Sequence, residues 1–158
     1  MRHSLKTGLC FGLTSGVITT LGLLIGLNAS THLKAIVIGG ILTIAIADAF
    51  SDALGIHMAE EAKNDNSKKH IWESTITTFL TKFFCALTFI IPIIFFSLKL
   101  AVIINIIWGF SLLSGLSFYL AKNSGNNPSK VIFEHLSIAT VVITITHLLG
   151  DWINKTLY

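Results

Sequence analysis

AIVIGGILTIAIADAFSDALGIHMAEE, residues 35–61, decides how this chain is read. It opens as an apolar run of the length and composition that crosses a bilayer. Without a helix breaker it then takes on Asp48, Asp52, His57, Glu60 and Glu61. An aspartate at the centre of a bilayer costs roughly 2.5–3.5 kcal/mol on insertion scales. Two of them one helical turn apart point to use rather than accident.

The rest of the chain has the same character. Of 158 residues, 53% are hydrophobic and 12% charged, half the roughly 25% charge of an ordinary soluble domain. So much apolar surface cannot be hidden inside a globule of this size, which makes the chain an all-α polytopic membrane protein. The net charge of +3 does not signal nucleic acid, because the basic residues sit between apolar runs. Cys10 and Cys85 lie in separate apolar segments with no metal-ligand spacing, as packing residues do.

Working outward, five spans are expected in one domain, at about 7–27, 35–62, 71–98, 100–121 and 131–152. The first is too long for a signal-peptide core and lacks a cleavage site, so it is read as a helix. Asn28–Lys34, Lys63–Lys69 and Lys122–Lys130 are the polar connections. Pro92 is expected to kink the third helix. Asn105 and Trp108 are the polar exceptions in a fourth helix without ionisable groups. Arg2, Lys6, Lys63, Lys68, Lys69, Lys122 and Lys130 outnumber Lys34, Lys99 and Lys155 on the other side. That bias places the amino terminus in the cytoplasm. The expected membrane is the cell membrane of a prokaryote rather than that of an organelle.

Gly12 and Gly16, then Gly22 and Gly26, repeat at a spacing of four on the first helix. Small residues at that spacing let helices approach closely in lipid. A homodimer or a tight helix pair along this face is the expectation.

On a wheel of about 100° per residue, Asp48 and Asp52 share a face, continued by Gly55 and Ala59. His57, Glu60 and Glu61 lie about 120° to 220° around from Asp48. Carboxylate oxygens suit hard divalent cations, and imidazole suits iron, zinc or manganese. Asp48, Asp52, His57, Glu60 and Glu61 are therefore the candidate metal ligands, the last three as an entry mouth or a solvated helix end. Close carboxylates can also hold a proton that an arriving cation expels. Lys82, about 16 Å into the third helix, and Glu134 are candidate charge partners. A structural ion pair between Lys82 and Asp52 is the alternative. His147 and Asp151, a turn apart in the fifth helix, read as an ion exit or as a hydrogen-bonded helix end.

The first two helices, FGLTSGVITTLGLLIGL and IGGILTIAIADAFSDALGIHMAEEA, resemble the opening of the vacuolar iron transporter family. TFLTKFFCALTFIIPIIF is similar to that family's third helix. The resemblance implies five spans, a cytoplasmic amino terminus, a dimer, and export of ferrous iron or manganese from the cytosol in exchange for protons. It implies a path lined by the first two helices, on which Ser15 stands where the family has aspartate. Asp52 stands at the family's methionine and Ile44 at its glutamate. The family's long cytoplasmic metal-binding extension is reduced here to a short loop.

The functional expectation is thus a proton-coupled divalent-cation transporter for Fe²⁺ or Mn²⁺. Ser15, Asp48, Asp52, Lys82 and Glu134 would line its path, with the metal as substrate and no tightly bound cofactor. A non-transporting membrane protein held by buried ion pairs, and a proton-coupled small-solute transporter, are the alternatives. No nucleophile–base pair or cofactor fingerprint points to an enzyme.

Overall fold

The computed structural model describes residues 2–63 and 67–157. The centre of the expected Lys63–Lys69 loop, residues 64–66, lies outside the described residues. Five helices long and apolar enough to cross a bilayer follow one another: α1 (His3–Thr31), α2 (Lys34–Glu61), α3 (Lys68–Phe95), α4 (Leu98–Ser124) and α5 (Pro128–Leu157). No strand occurs among the described residues. The protein is an all-α, multi-pass integral membrane protein.

The helices run past the expected ends because polar residues near the interface stay helical. Asn28–Thr31, expected in a turn, closes α1, with the Ser30 and Thr31 hydroxyls donating to the Leu27 carbonyl. The helix stops at His32, which takes the left-handed conformation (φ 54°) while its N–H donates to Asn28. At the end of α4, Gly125 takes φ 70°, which glycine adopts without the steric cost other residues incur. Pro128 then opens α5, where its missing N–H is not needed.

Helix α1 is the hub. Its glycines are filled by neighbours within the chain. A Cβ added at Gly12 would lie 2.7 Å from the Thr78 carbonyl oxygen of α3, and one at Gly16 3.4 Å from the Lys82 Cα. Gly22 and Gly26 face Val142 and Thr146 of α5. The expected close approach is therefore real, but its partners are α3 and α5 of the same chain. Gly12, Gly16, Gly22 and Gly26, the face on which a homodimer or tight helix pair was expected, thus pack within the chain. On other sides of α1, Leu21 and Val17 fill the notch at Gly109 of α4, and Leu23 and Leu27 cover Gly40 of α2. Helix α5 is the most peripheral, with only Ala139 and Gly150 buried among its described residues.

Helix α3 is broken at Phe89, three residues before Pro92. Proline cannot donate to the carbonyl four residues back, so the last bond before the break tightens, from the Phe89 N–H to the Ala86 carbonyl (3.1 Å). Helix α4 answers with the two side chains the sequence marked as exceptions. Asn105 Nδ2 donates to the Phe89 carbonyl at 3.0 Å, and Trp108 Nε1 to Thr88 Oγ1 at 3.0 Å.

Candidate functional site

Four of the candidate residues meet in mid-span. Lys82 is 14 residues into α3 and Asp48 14 residues into α2, each about 21 Å from its helix start. Ser15 is near the middle of α1. The Lys82 ammonium is completely buried and lies 2.5 Å from Asp52 Oδ2, 2.5 Å from Asp48 Oδ2 and 2.9 Å from Ser15 Oγ. It donates hydrogen bonds to Asp52 and Ser15. Asp48 Oδ2 is as close but outside hydrogen-bonding geometry.

Local structure explains how these groups converge. From Val37 to Ala53 the buried residues of α2, Val37, Ile41, Ala45, Ala49 and Ala53, step by four. In a straight helix of 3.6 residues per turn such a row drifts about 40° per step. A wider π turn at Ile44–Asp48 absorbs part of that drift. It leaves Asp48 and Asp52 on the flank of the buried row, facing Lys82. On the α1 side, Gly16 lets the backbone of α3 come within van der Waals range, which brings the neighbouring Ser15 hydroxyl to the ammonium.

Charge does not balance in this cluster. Two carboxylates share one ammonium, a formal charge of −1 at the centre of the span. Burying an ion costs several kcal/mol unless its partners compensate, and Lys82 is compensated by three oxygens. The carboxylates are less enclosed, with side chains 33% exposed at Asp48 and 19% at Asp52. The cluster is therefore closed around its cation and open along its acids.

The remaining candidates do not join it. Glu134 is exposed on α5 with no ion-pair or hydrogen-bond partner among the described residues. His57, Glu60 and Glu61, expected as an entry mouth or a solvated helix end, also have separate surroundings. His57 Nδ1 shares a hydrogen bond with Thr75 Oγ1 at 3.0 Å, and its ring meets Trp72 edge-on at 4.9 Å. Glu60 points inward, 2% exposed, and accepts from Lys63 Nζ at 2.7 Å and pairs with His70 Nε2 at 3.2 Å. Glu61 is exposed, as are Gly55 and Ala59; the face shared by Asp52 continues instead through Ile56 to Glu60. Among the described residues no group of three or more His, Cys, Asp or Glu is placed to hold a metal ion.

His70, which no spacing in the sequence marks, meets Glu60 across the two helices. The same end of the bundle ties α1 to α3: Arg2 and Ser4 both donate to Glu73, each at 2.7 Å. His3 stacks on His70 at 5.8 Å. Glu73 thus joins the start of α3 to the start of α1. At the far end, Asp151 lies 3.9 Å from Lys155, a loose pair within α5 that does not include His147.

The chain matches no protein-family model and no curated protein.

Proposed function

We propose that this protein is a proton-coupled divalent-cation transporter whose exchange site is Ser15, Asp48, Asp52 and Lys82. The observation that carries the reading is the charge imbalance: two partly open carboxylates around one enclosed ammonium, in mid-span. A divalent cation reaching Asp48 and Asp52 would neutralise both and leave the Lys82 charge without a counter-ion. A proton leaving the cluster as the metal enters would offset that excess positive charge. The formal cluster charge would go from −1 to 0, with one proton released per ion bound. Oxygen ligands favour a hard cation. Ferrous iron and manganese are the cargo by resemblance to the vacuolar iron transporters, moving out of the cytosol across a prokaryotic cell membrane.

A second copy belongs to this reading. Gly39, Thr43, Ala47, Ser51, Gly55 and Ala59 form an exposed row of small residues along α2, and a Cβ at Gly39 or Gly55 would meet nothing within 4 Å. Rows of this kind let transmembrane helices pack closely. This one runs beside Asp48, so a homodimer across α2, rather than across the glycines of α1, would bring the acids of both copies to one seam.

The test is flux in liposomes loaded with a metal-sensitive and a pH-sensitive dye. Wild type should move Fe²⁺ or Mn²⁺ against protons, and Asp52→Asn should lose most of both fluxes. Equal fluxes in the variant would remove the cluster from the path. A structural lock is favoured by one observation, the threefold satisfaction of Lys82. It predicts no flux in any variant, with Asp52→Asn and Lys82→Met each lowering the melting temperature.

A further inference from the structure

We propose that the groove between α2 and α3 binds one acyl chain of a phospholipid whose headgroup carries a primary ammonium. This site is separate from the Lys82 cluster and stands independently of the transport reading. The groove is a cavity of about 370 Å³ with walls from Phe50, Leu54, His57, Trp72, Ile76 and Phe79, within the range of about 300–1,000 Å³ typical of ligand pockets. Its deep end is closed by Phe50 against Phe79, ring centroids 4.6 Å apart. Both lie 11 residues, about 16 Å, from the amino-terminal-side ends of their helices. His57 and Trp72 stand about 6 Å from those ends, so the groove descends about 10 Å from the interface. Phe50, Leu54, Trp72 and Ile76 are more than half exposed, which opens it sideways to the bilayer.

The occupant follows from the chemistry along that descent. The walls are mainly aromatic and aliphatic, and of the two polar residues Thr75 bonds both His57 Nδ1 and the Ile71 carbonyl. Nothing in the groove calls for a polar ligand, and an acyl chain is what surrounds it. Trp72 sits at the level where tryptophan anchors to headgroups. One turn beyond His57 on α2 is Glu61, and one turn beyond Trp72 on α3 is Lys68. Residues four apart share a helix face, so an acid and a base flank the mouth on adjacent helices. Neither takes part in an ion pair among the described residues. A phosphate beside Lys68 and an ammonium beside Glu61 match both charges. A primary ammonium also donates charge-assisted hydrogen bonds to a carboxylate, which choline cannot do. Glu61, read from sequence at an entry mouth or a solvated helix end, would thus face a lipid headgroup.

The protein should be delipidated in detergent and then given phosphatidylethanolamine, phosphatidylcholine or phosphatidylglycerol. Retention is read by native mass spectrometry and melting by intrinsic fluorescence. Wild type should retain one phosphatidylethanolamine per chain and gain more thermal stability from it than from the other two. Ile76→Trp, at an exposed wall position, should abolish that gain while melting as wild type does without lipid. Lys68→Ala should weaken retention of all three lipids about fivefold, the worth of one lysine near a lipid surface. Glu61→Gln should erase the preference over phosphatidylcholine. Equal retention of the three lipids by wild type overturns the proposal, as does undiminished phosphatidylethanolamine binding by Ile76→Trp. Disulfide cross-linking between copies through Ile76→Cys, on the α3 wall, would also overturn it, by seating a second chain in the groove. Should Ile76→Trp not fold, the two surface variants decide the question by themselves.

Discussion

At the scale of residues, Lys82 is where this protein concentrates its risk. An ammonium with no exposure, in the middle of a membrane span, is tolerable only because Asp48, Asp52 and Ser15 surround it. The two kinds of deletion are therefore unequal. Asp52→Asn leaves Asp48 as counter-ion and should cost about 1–3 kcal/mol, the penalty of a lost charged hydrogen bond. Lys82→Met leaves two adjacent carboxylates with no cation and should cost about 3–5 kcal/mol. Thermal melts in detergent at neutral pH should rank Lys82→Met below Asp52→Asn. The double variant should fall short of the sum of the two, because residues in one charge network do not contribute additively. A Lys82→Met protein as stable as wild type would mean that the acids are balanced from elsewhere.

At the scale of elements, the informative features are two irregularities in otherwise long helices. The π turn in α2 keeps one row of residues buried and another exposed over five turns, with the aspartates between them. The break in α3 is tied down by α4. Asn105 is fully buried and holds the Phe89 carbonyl. In a membrane there is no water to replace such a bond. Asn105→Leu should destabilise the protein by about 1–3 kcal/mol, and Asn105→Gln should recover little of that because the longer side chain does not fit. Gly12→Leu tests the opposite kind of contact. With the Thr78 carbonyl 2.7 Å from any Cβ at that site, α1 and α3 must separate. The cost should be at least the 1–3 kcal/mol of an overpacked core, read as a lowered melting temperature.

At the scale of the whole molecule, α1 is enclosed and α2 and α5 are the open sides. A dimer formed through α2 should cross-link at Ser51→Cys and Gly55→Cys in native membranes under mild oxidation. Cysteine in place of Phe11, exposed on α1 at 42%, should not cross-link. The reverse pattern would return the interface to the first helix. The bundle also sets apart two regions at the amino-terminal side. One is the tied network of Arg2, Ser4, Glu60, Lys63, His70 and Glu73; the other is the apolar groove beside it. They lie on different faces of the same two helices, which is why His57 and Glu60, three residues apart, have unrelated surroundings.

The sequence by itself determined the number and order of the spans and the existence of a costly charge in mid-membrane. Those follow from runs of apolar residues and from isolated acids, which are local properties with large free energies. It also named an ion pair between Lys82 and Asp52 as an alternative, because rise per residue is nearly constant along a helix and fixes how deep a charge lies. Only the tertiary structure decided which charges meet. It drew Asp48, Asp52 and Ser15 onto Lys82, left Glu134 outside, and turned Glu60 inward to His70 while Glu61 stayed out. A wheel drawn at 100° per residue cannot carry the rotation that a π turn adds, nor say which neighbour a face will meet. The glycines of α1 make the same point. Their spacing announced a close helix contact, but a Gly-x-x-x-Gly face does not encode whether its partner is another chain or another part of its own.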